Sequence, residues 1–88
     1  MGKYSVRIKR SARIELESLP TKADRRRIAH RIQSLADDPR PHGTQKLSGF
    51  DRYRLRQGNY RILYSIDDDD LVVTVVRIAE RKDAYRRG

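Results

Sequence analysis

Residues 52–64 read Arg-Tyr-Arg-Leu-Arg-Gln-Gly-Asn-Tyr-Arg-Ile-Leu-Tyr, and these residue types at this spacing suit the chemistry of a phosphodiester. Successive side chains of a strand point to opposite faces, so Arg52, Arg54 and Arg56 line up as guanidinium groups over an underside of Tyr53 and Leu55. Gln57-Gly58-Asn59 is a turn signal. The second strand of the hairpin then puts Tyr60, Ile62 and Tyr64 on one face and Arg61 and Leu63 on the other. With Arg81 and Tyr85 entering from the end of the following strand, five cations and a phenol converge on one sheet face. Arginines neutralise phosphates and a tyrosine can stack on a splayed base. Metal-free RNA cleavage is feasible on such a surface: the 2′-OH attacks the neighbouring phosphorus, and fixed cations stabilise the charge that builds on the non-bridging oxygens. The same surface without a placed base would only bind.

The elements that must carry this face can be read in order. Residues 3–9 alternate, with Tyr4, Val6 and Ile8 on one side, as a half-buried first strand does. Ser11 is the expected N-cap of a short helix whose Ala12, Leu16 and Leu19 recur at helical spacing. Pro20-Thr21 ends it and starts a second helix over residues 22–36, with Ile28, Ile32, Leu35 and Ala36 as its apolar stripe. Arg25, Arg26, Arg27 and Arg31 lie mostly off that stripe and read as a solvated face, and His30 reads as exposed. Residues 37–43 form a loop stiffened by two prolines. Residues 67–70 are four consecutive aspartates; carboxylates suit hard cations, but a consecutive run at a hairpin tip reads better as a solvated turn. Residues 71–78, Leu-Val-Val-Thr-Val-Val-Arg-Ile, predict a strand buried on both faces at the sheet centre. Residues 83–88 would form one helical turn or fray.

The order β-α-α-β-β-β with a short C-terminal tail predicts a single α+β domain spanning the chain. Its two N-terminal helices pack on one face of a small, mostly antiparallel four-stranded sheet, and the other face stays basic. Tyr53, Tyr60 and Tyr64 then belong to sheet packing.

Composition narrows the function class. The 88 residues allow one modest core, and 21 Lys+Arg against 12 Asp+Glu give a net charge of +9. Arginine dominates the basic count, and it is the residue suited to bidentate phosphate contacts. Such a surface favours nucleic acid, an anionic membrane or an acidic protein partner. The absence of cysteine excludes disulfides and thiolate metal sites. No apolar run approaches the ~20 residues of a membrane span, and the N-terminus lacks a signal-peptide core, so a cytoplasmic protein is expected. There is no Gly-rich phosphate loop, Ser-His-Asp set or metal-ligand cluster, and no cofactor is expected.

The segments Lys46-Leu-Ser-Gly-Phe, Arg52-Tyr-Arg-Leu-Arg, Gly58-Asn-Tyr-Arg-Ile-Leu-Tyr, the Asp-rich turn, the strand 71–78 and Glu80-Arg-Lys-Asp-Ala-Tyr together resemble the RelE toxins of the RelE/ParE superfamily. The resemblance covers nearly the whole chain. It implies the toxin of a type II toxin–antitoxin pair, an endoribonuclease that cuts messenger RNA at the ribosomal A site without a metal and leaves a 2′,3′-cyclic phosphate. It also implies an acidic antitoxin, which a +9 surface would attract as a partly disordered chain that folds on binding.

Carried over by position, Arg61 matches the phosphate-binding arginine, Arg81 the arginine that protonates or stabilises the leaving oxygen, and Tyr85 the C-terminal tyrosine that orients the nucleotide. The spacing from Arg81 to Tyr85 is shorter than in the family. Arg52 and Arg54 stand where well-studied RelE toxins have lysines. Arginine stays protonated, so these two would supply charge, and a base would come from Glu80, His42 or a ribosomal group. Lys46, Arg56, Arg77 and Lys82 complete the expected RNA contacts. Two other classes share the pattern: a ParE-like toxin that poisons DNA gyrase, and a basic module that binds nucleic acid or a partner without chemistry.

Overall fold

A computed structural model describes residues 2–47 and 51–80; the expectations placed on Arg81, Lys82, Tyr85 and the tail lie outside the described residues. The elements are β1 (Ser5–Ile8), α1 (Arg10–Glu17), α2 (Lys22–Ser34), β2 (Gln45–Lys46), β3 (Tyr53–Gln57), β4 (Tyr60–Asp67) and β5 (Val72–Glu80). They form one sheet in the order β1-β5-β4-β3-β2. All pairs are antiparallel except β1 with β5. The α+β reading therefore holds, with a fifth strand at the edge. Two-residue β2 is too short for alternation to announce it, and it exists only through pairing with Arg54 and Tyr53.

One face of the sheet makes the core. Tyr53, Leu55, Tyr60, Ile62, Tyr64, Ile66, Val73, Val75 and Ile78 are buried together with Ala12, Leu19, Ile28, Ile32 and Leu35 from the helical segment. Tyr53 and Tyr64, directly opposed in register, stack with ring centroids 5.8 Å apart. The Tyr64 hydroxyl is buried but satisfied, donating to the Pro39 carbonyl at 2.7 Å. Burial still pushes its pKa above the usual phenol value. The three tyrosines read as packing residues are all in this core.

Local chemistry explains the element ends. The Thr21 side chain accepts from the Asp24 N–H at 3.0 Å, the N-cap that α2 needs after Pro20. Gly58 opens the two-residue β3–β4 loop with a φ of 61°, the first position of a type II′ turn; Asn59 does not share the positive φ. Helix α1 departs from expectation: its N-cap is Lys9, with no side-chain cap bond, and Ser11 lies within the first turn. The reason is the sheet. Lys9 N–H still bonds the Val75 carbonyl at 2.8 Å, so the chain leaves the ladder at residue 9 and must turn at once into the helix. Helix α2 ends at Ser34 rather than Ala36, whose carbonyl instead accepts from the N–H groups of Lys3 and Tyr4.

The strand expected to be buried on both faces is corrected as well. β4, not β5, is the middle strand, and along β5 only Val73, Val75 and Ile78 are buried while Arg77 is exposed. The helices cover a single face, so the β-branched run in β5 reflects strand preference rather than two-sided burial.

The four-aspartate run caps the β4–β5 connection as a turn. Asp67 Oδ1 accepts from the N–H groups of Asp69 and Asp70, both at 3.0 Å. Asp68 is clamped: Arg40 Nη2 donates to Oδ2 at 2.8 Å and the Tyr4 hydroxyl to Oδ1 at 2.6 Å. Arg40 also lies 5.2 Å from the centre of the Tyr53 ring. One carboxylate thus ties the N-terminal strand, the loop after α2 and the far end of the sheet. The Arg40 and Tyr4 hydrogen bonds hold the Asp68 pKa down to about 2.

A carboxylate depressed on folding contributes stability above its ordinary pKa and loses it as the pH falls toward the folded value. Asp68→Asn should therefore lower the melting temperature at neutral pH. The gap to the parent should shrink on acidification between about pH 4 and about pH 2. Salt should also narrow it, because the cluster is exposed. Melting followed by circular dichroism across that range checks both trends.

Candidate nucleic-acid interface

The opposite face of the sheet carries the arginines, and the register fixes their neighbours. Arg56 pairs directly with Arg61, which pairs with Ala79; Arg54 pairs with Leu63, which pairs with Arg77. Opposed residues have Cβ atoms about 4.5–5.5 Å apart, so these are two adjacent rows running across β3, β4 and β5. Arg54, Arg56, Arg61 and Arg77, all anticipated as contacts, are thereby brought together. Like charges placed directly opposite cost stability. A bound phosphate would reverse that cost.

The four differ in their surroundings. Arg56 and Arg77 are exposed and Arg54 is half-buried, its Nη2 donating to Gln45 Oε1 on β2. Gln45 is a neutral partner, so it orients the guanidinium without cancelling its charge. Arg61 is the surprise: alternation displays it on the open face, but it is only 7% exposed. A guanidinium shielded from water interacts more strongly with an anion than one in bulk solvent.

Other anticipated residues fall elsewhere. Arg52 is exposed just before β3, and its carbonyl accepts from Leu47 N–H at 2.9 Å. Lys46 pairs with Tyr53, so its register parity is opposite to that of Arg54. It borders a cavity of about 670 Å³ with Arg40, Asp51, Ser65 and Thr74, at the acidic end of the sheet rather than over the arginine rows. Glu80 pairs with Tyr60, on the core-side parity, and its charge helps raise the Tyr60 pKa after burial and the Asp24 hydrogen bond. His42 is exposed in the loop after α2, and His30 is exposed on α2. Neither Glu80 nor His42 is brought to the arginine rows.

Sequence reasoning passed over Glu15 and Gln45, the two side chains that hold this face from its flanks. Glu15 Oε1 accepts from the Ile78 N–H at 2.8 Å, and its Oε2 lies 3.9 Å from Arg77 Nε. The sequence of β5 does hold one usable signal: strict alternation would put Arg77 on the parity of Val73 and Val75, and the structure breaks that parity, with Val73, Val75 and Ile78 buried.

Arg56→Gln removes one charge of the opposed pair. It should leave the melting temperature unchanged or raise it slightly, while weakening binding to single-stranded RNA. The slope of log affinity against log salt should fall by about one phosphate contact. Arg26→Gln, on exposed α2, should change neither. Fluorescence anisotropy at several salt concentrations measures this, and equal losses from the two variants would place binding off the sheet.

Comparison with known proteins agrees with this architecture. The family model of the ParE toxin of the type II toxin-antitoxin system parDE matches residues 6–85. Toxin RelG of Mycobacterium tuberculosis is 33% identical over 87 residues, covering 96% of this chain and 98% of that protein. A chain of the archaeal RelE–RelB complex from Pyrococcus horikoshii superposes with a TM-score of 0.76 at 32% identity, over 90% of this chain and 96% of that one. A chain of the RelBE2 toxin–antitoxin complex from Mycobacterium tuberculosis gives a TM-score of 0.75 at 29% identity, over 92% and 94%. No helix among the described residues is long and apolar enough to cross a membrane. The chain belongs to the RelE/ParE superfamily, the toxins of type II toxin–antitoxin systems.

Proposed function

We propose that this toxin is a messenger RNA endoribonuclease that works on the ribosome and needs no metal. The observation that carries the reading is the double row of arginines, with shielded Arg61 directly opposite exposed Arg56. In the proposed reaction the 2′-oxygen of one nucleotide forms a bond to the adjacent phosphorus and the bond to the 5′-oxygen breaks. The products are a 2′,3′-cyclic phosphate and a 5′-hydroxyl. Arg61 bears on the non-bridging oxygens, where charge is greatest, and Arg54 and Arg56 neutralise flanking phosphates. Resemblance assigns Arg81 to the leaving oxygen and Tyr85 to the nucleotide.

No arginine takes the 2′-proton at neutral pH. Glu80 and His42 stand away from the arginine rows, so the acceptor is best supplied by the ribosomal A site, which makes the ribosome a chemical partner as well as a docking site. Work on the ribosome places the toxin in the cytoplasm. The same basic surface suits a cognate acidic antitoxin; one of the similar structures is by name a toxin–antitoxin complex, and another a RelE–RelB complex.

The match to the ParE family model favours a second reading, a toxin that binds and poisons DNA gyrase. Primer extension on a translated messenger RNA separates the two, run with and without ribosomes and with EDTA in the ribosome-free arm. Cuts within A-site codons only when ribosomes are present are expected. Arg61→Ala should lower the single-turnover rate by ~10²–10³-fold, the size of loss seen when one transition-state donor is removed, while Arg26→Ala leaves it unchanged. No cuts in either arm, together with inhibition of supercoiling, would replace this reading with the gyrase one.

A further inference from the structure

The ladder between β1 and β5 stops early. Ile8 pairs with Val75, Lys9 N–H bonds the Val75 carbonyl, and the chain turns into α1. β5 nevertheless runs on to Glu80, so Arg77 to Glu80 pair with β4 and, among the described residues, have no strand on the edge toward α1. An open edge leaves backbone donors without a strand partner. One of them, the Ile78 N–H, is taken by Glu15 Oε1 at 2.8 Å, a bond across 63 residues of sequence. The carboxylate stands where the carbonyl of a longer β1 would be.

Ile78 is also where the phase of β5 has changed. Tyr64 pairs with Val75 and Leu63 with Arg77, so Val76 is left over as a bulge. Before it, Val73 and Val75 point to the core; after it, Ile78 does. Strict alternation from Val75 would instead turn Arg77 inward and Ile78 out. A bulge re-aims the side chains that follow it. Here it decides whether Arg77 and Ala79 share a face with Arg61.

We infer that Glu15 is a positioning residue for the arginine face: by holding the Ile78 N–H it locks the bulged phase of β5 that turns Arg77 outward and places Ala79 beside Arg61. The action runs through the backbone. The 3.9 Å approach of the second carboxylate oxygen to Arg77 Nε is a secondary contact that a bound phosphate can replace without disturbing the lock. The consequence for RNA rests on the function proposed above, whereas the lock itself does not.

The test compares Glu15→Ala, which loses both contacts, with Glu15→Gln, whose amide oxygen can still accept from Ile78 but carries no charge. Glu15→Leu serves as a second acceptor-free variant that keeps the volume and helix preference of the side chain. Hydrogen exchange of the Ile78 amide reads the lock. Affinity for a short single-stranded RNA with 2′-O-methyl riboses, which cannot be cleaved, reads the face.

Both acceptor-free variants should speed Ile78 exchange by about tenfold or more, the effect of losing one charge-assisted hydrogen bond. They should also weaken RNA binding severalfold, and Glu15→Gln should restore both. Unchanged Ile78 exchange in Glu15→Ala and Glu15→Leu overturns the lock. Restored exchange without restored affinity in Glu15→Gln overturns the positioning role, because charge beside Arg77 would then be what matters. If the parent protein binds no RNA at all, the function proposed above fails, while the exchange arm still decides the lock.

Discussion

The backbone ladder between β4 and β5 is the constraint on which the rest of the molecule depends. It is the longest pairing in the sheet, and it supplies both faces at once. On one side it brings Ile62, Tyr64 and Ile66 against Val73, Val75 and Ile78 to form the floor of the core. On the other it sets Arg61 next to Ala79 and Leu63 next to Arg77. A one-residue slip in a strand exchanges its two faces. Core burial and the arginine rows are therefore specified by the same hydrogen bonds, and the bulge at Val76 is the point where that specification is adjusted.

The two ends of the sheet are electrostatically unlike. At the β3–β4 turn end, Arg56 opposes Arg61 with Arg54 and Arg77 in the next row. At the other end, Asp67 to Asp70 turn the chain, and Arg40 and Tyr4 consume Asp68. At the acidic end Asp67 holds the turn through backbone N–H groups and Asp68 is paired with Arg40. The basic end sets like charges side by side. Direct opposition of two arginines costs stability, and an anionic ligand would offset that cost. This division also explains why the cavity beside Asp51 and Lys46 is not the expected centre of phosphodiester chemistry.

Much of this was legible in the chain, for a physical reason: strict alternation in β3 and β4 needs only local spacing, so the basic face and its tyrosine underside could be read directly. Family resemblance did the rest, giving the fold and the toxin class. What escaped reading was non-local. The two residues of β2 carry no pattern. The N-cap of α1 falls at Lys9 because the ladder to Val75 sets where the chain leaves the sheet. Arg61 reads as exposed by parity, and only the folded structure shows it shielded. The run at residues 71–78 looked two-sided because valine and threonine suit any strand, whereas its burial follows the single helical layer. Glu15 looked like an ordinary helix glutamate, since nothing in its neighbours points to a strand edge 63 residues away.

The central claim is that RNA lies across the arginine rows of the sheet and not on the arginine-rich helix α2. Backbone amide chemical-shift mapping during titration with a short non-cleavable RNA tests it most directly. The account predicts the largest shifts at Arg54, Arg56, Arg61, Leu63 and Arg77, with α2 quiet. Shifts centred on Arg25 to Arg27 and Arg31, with the sheet unperturbed, would contradict it.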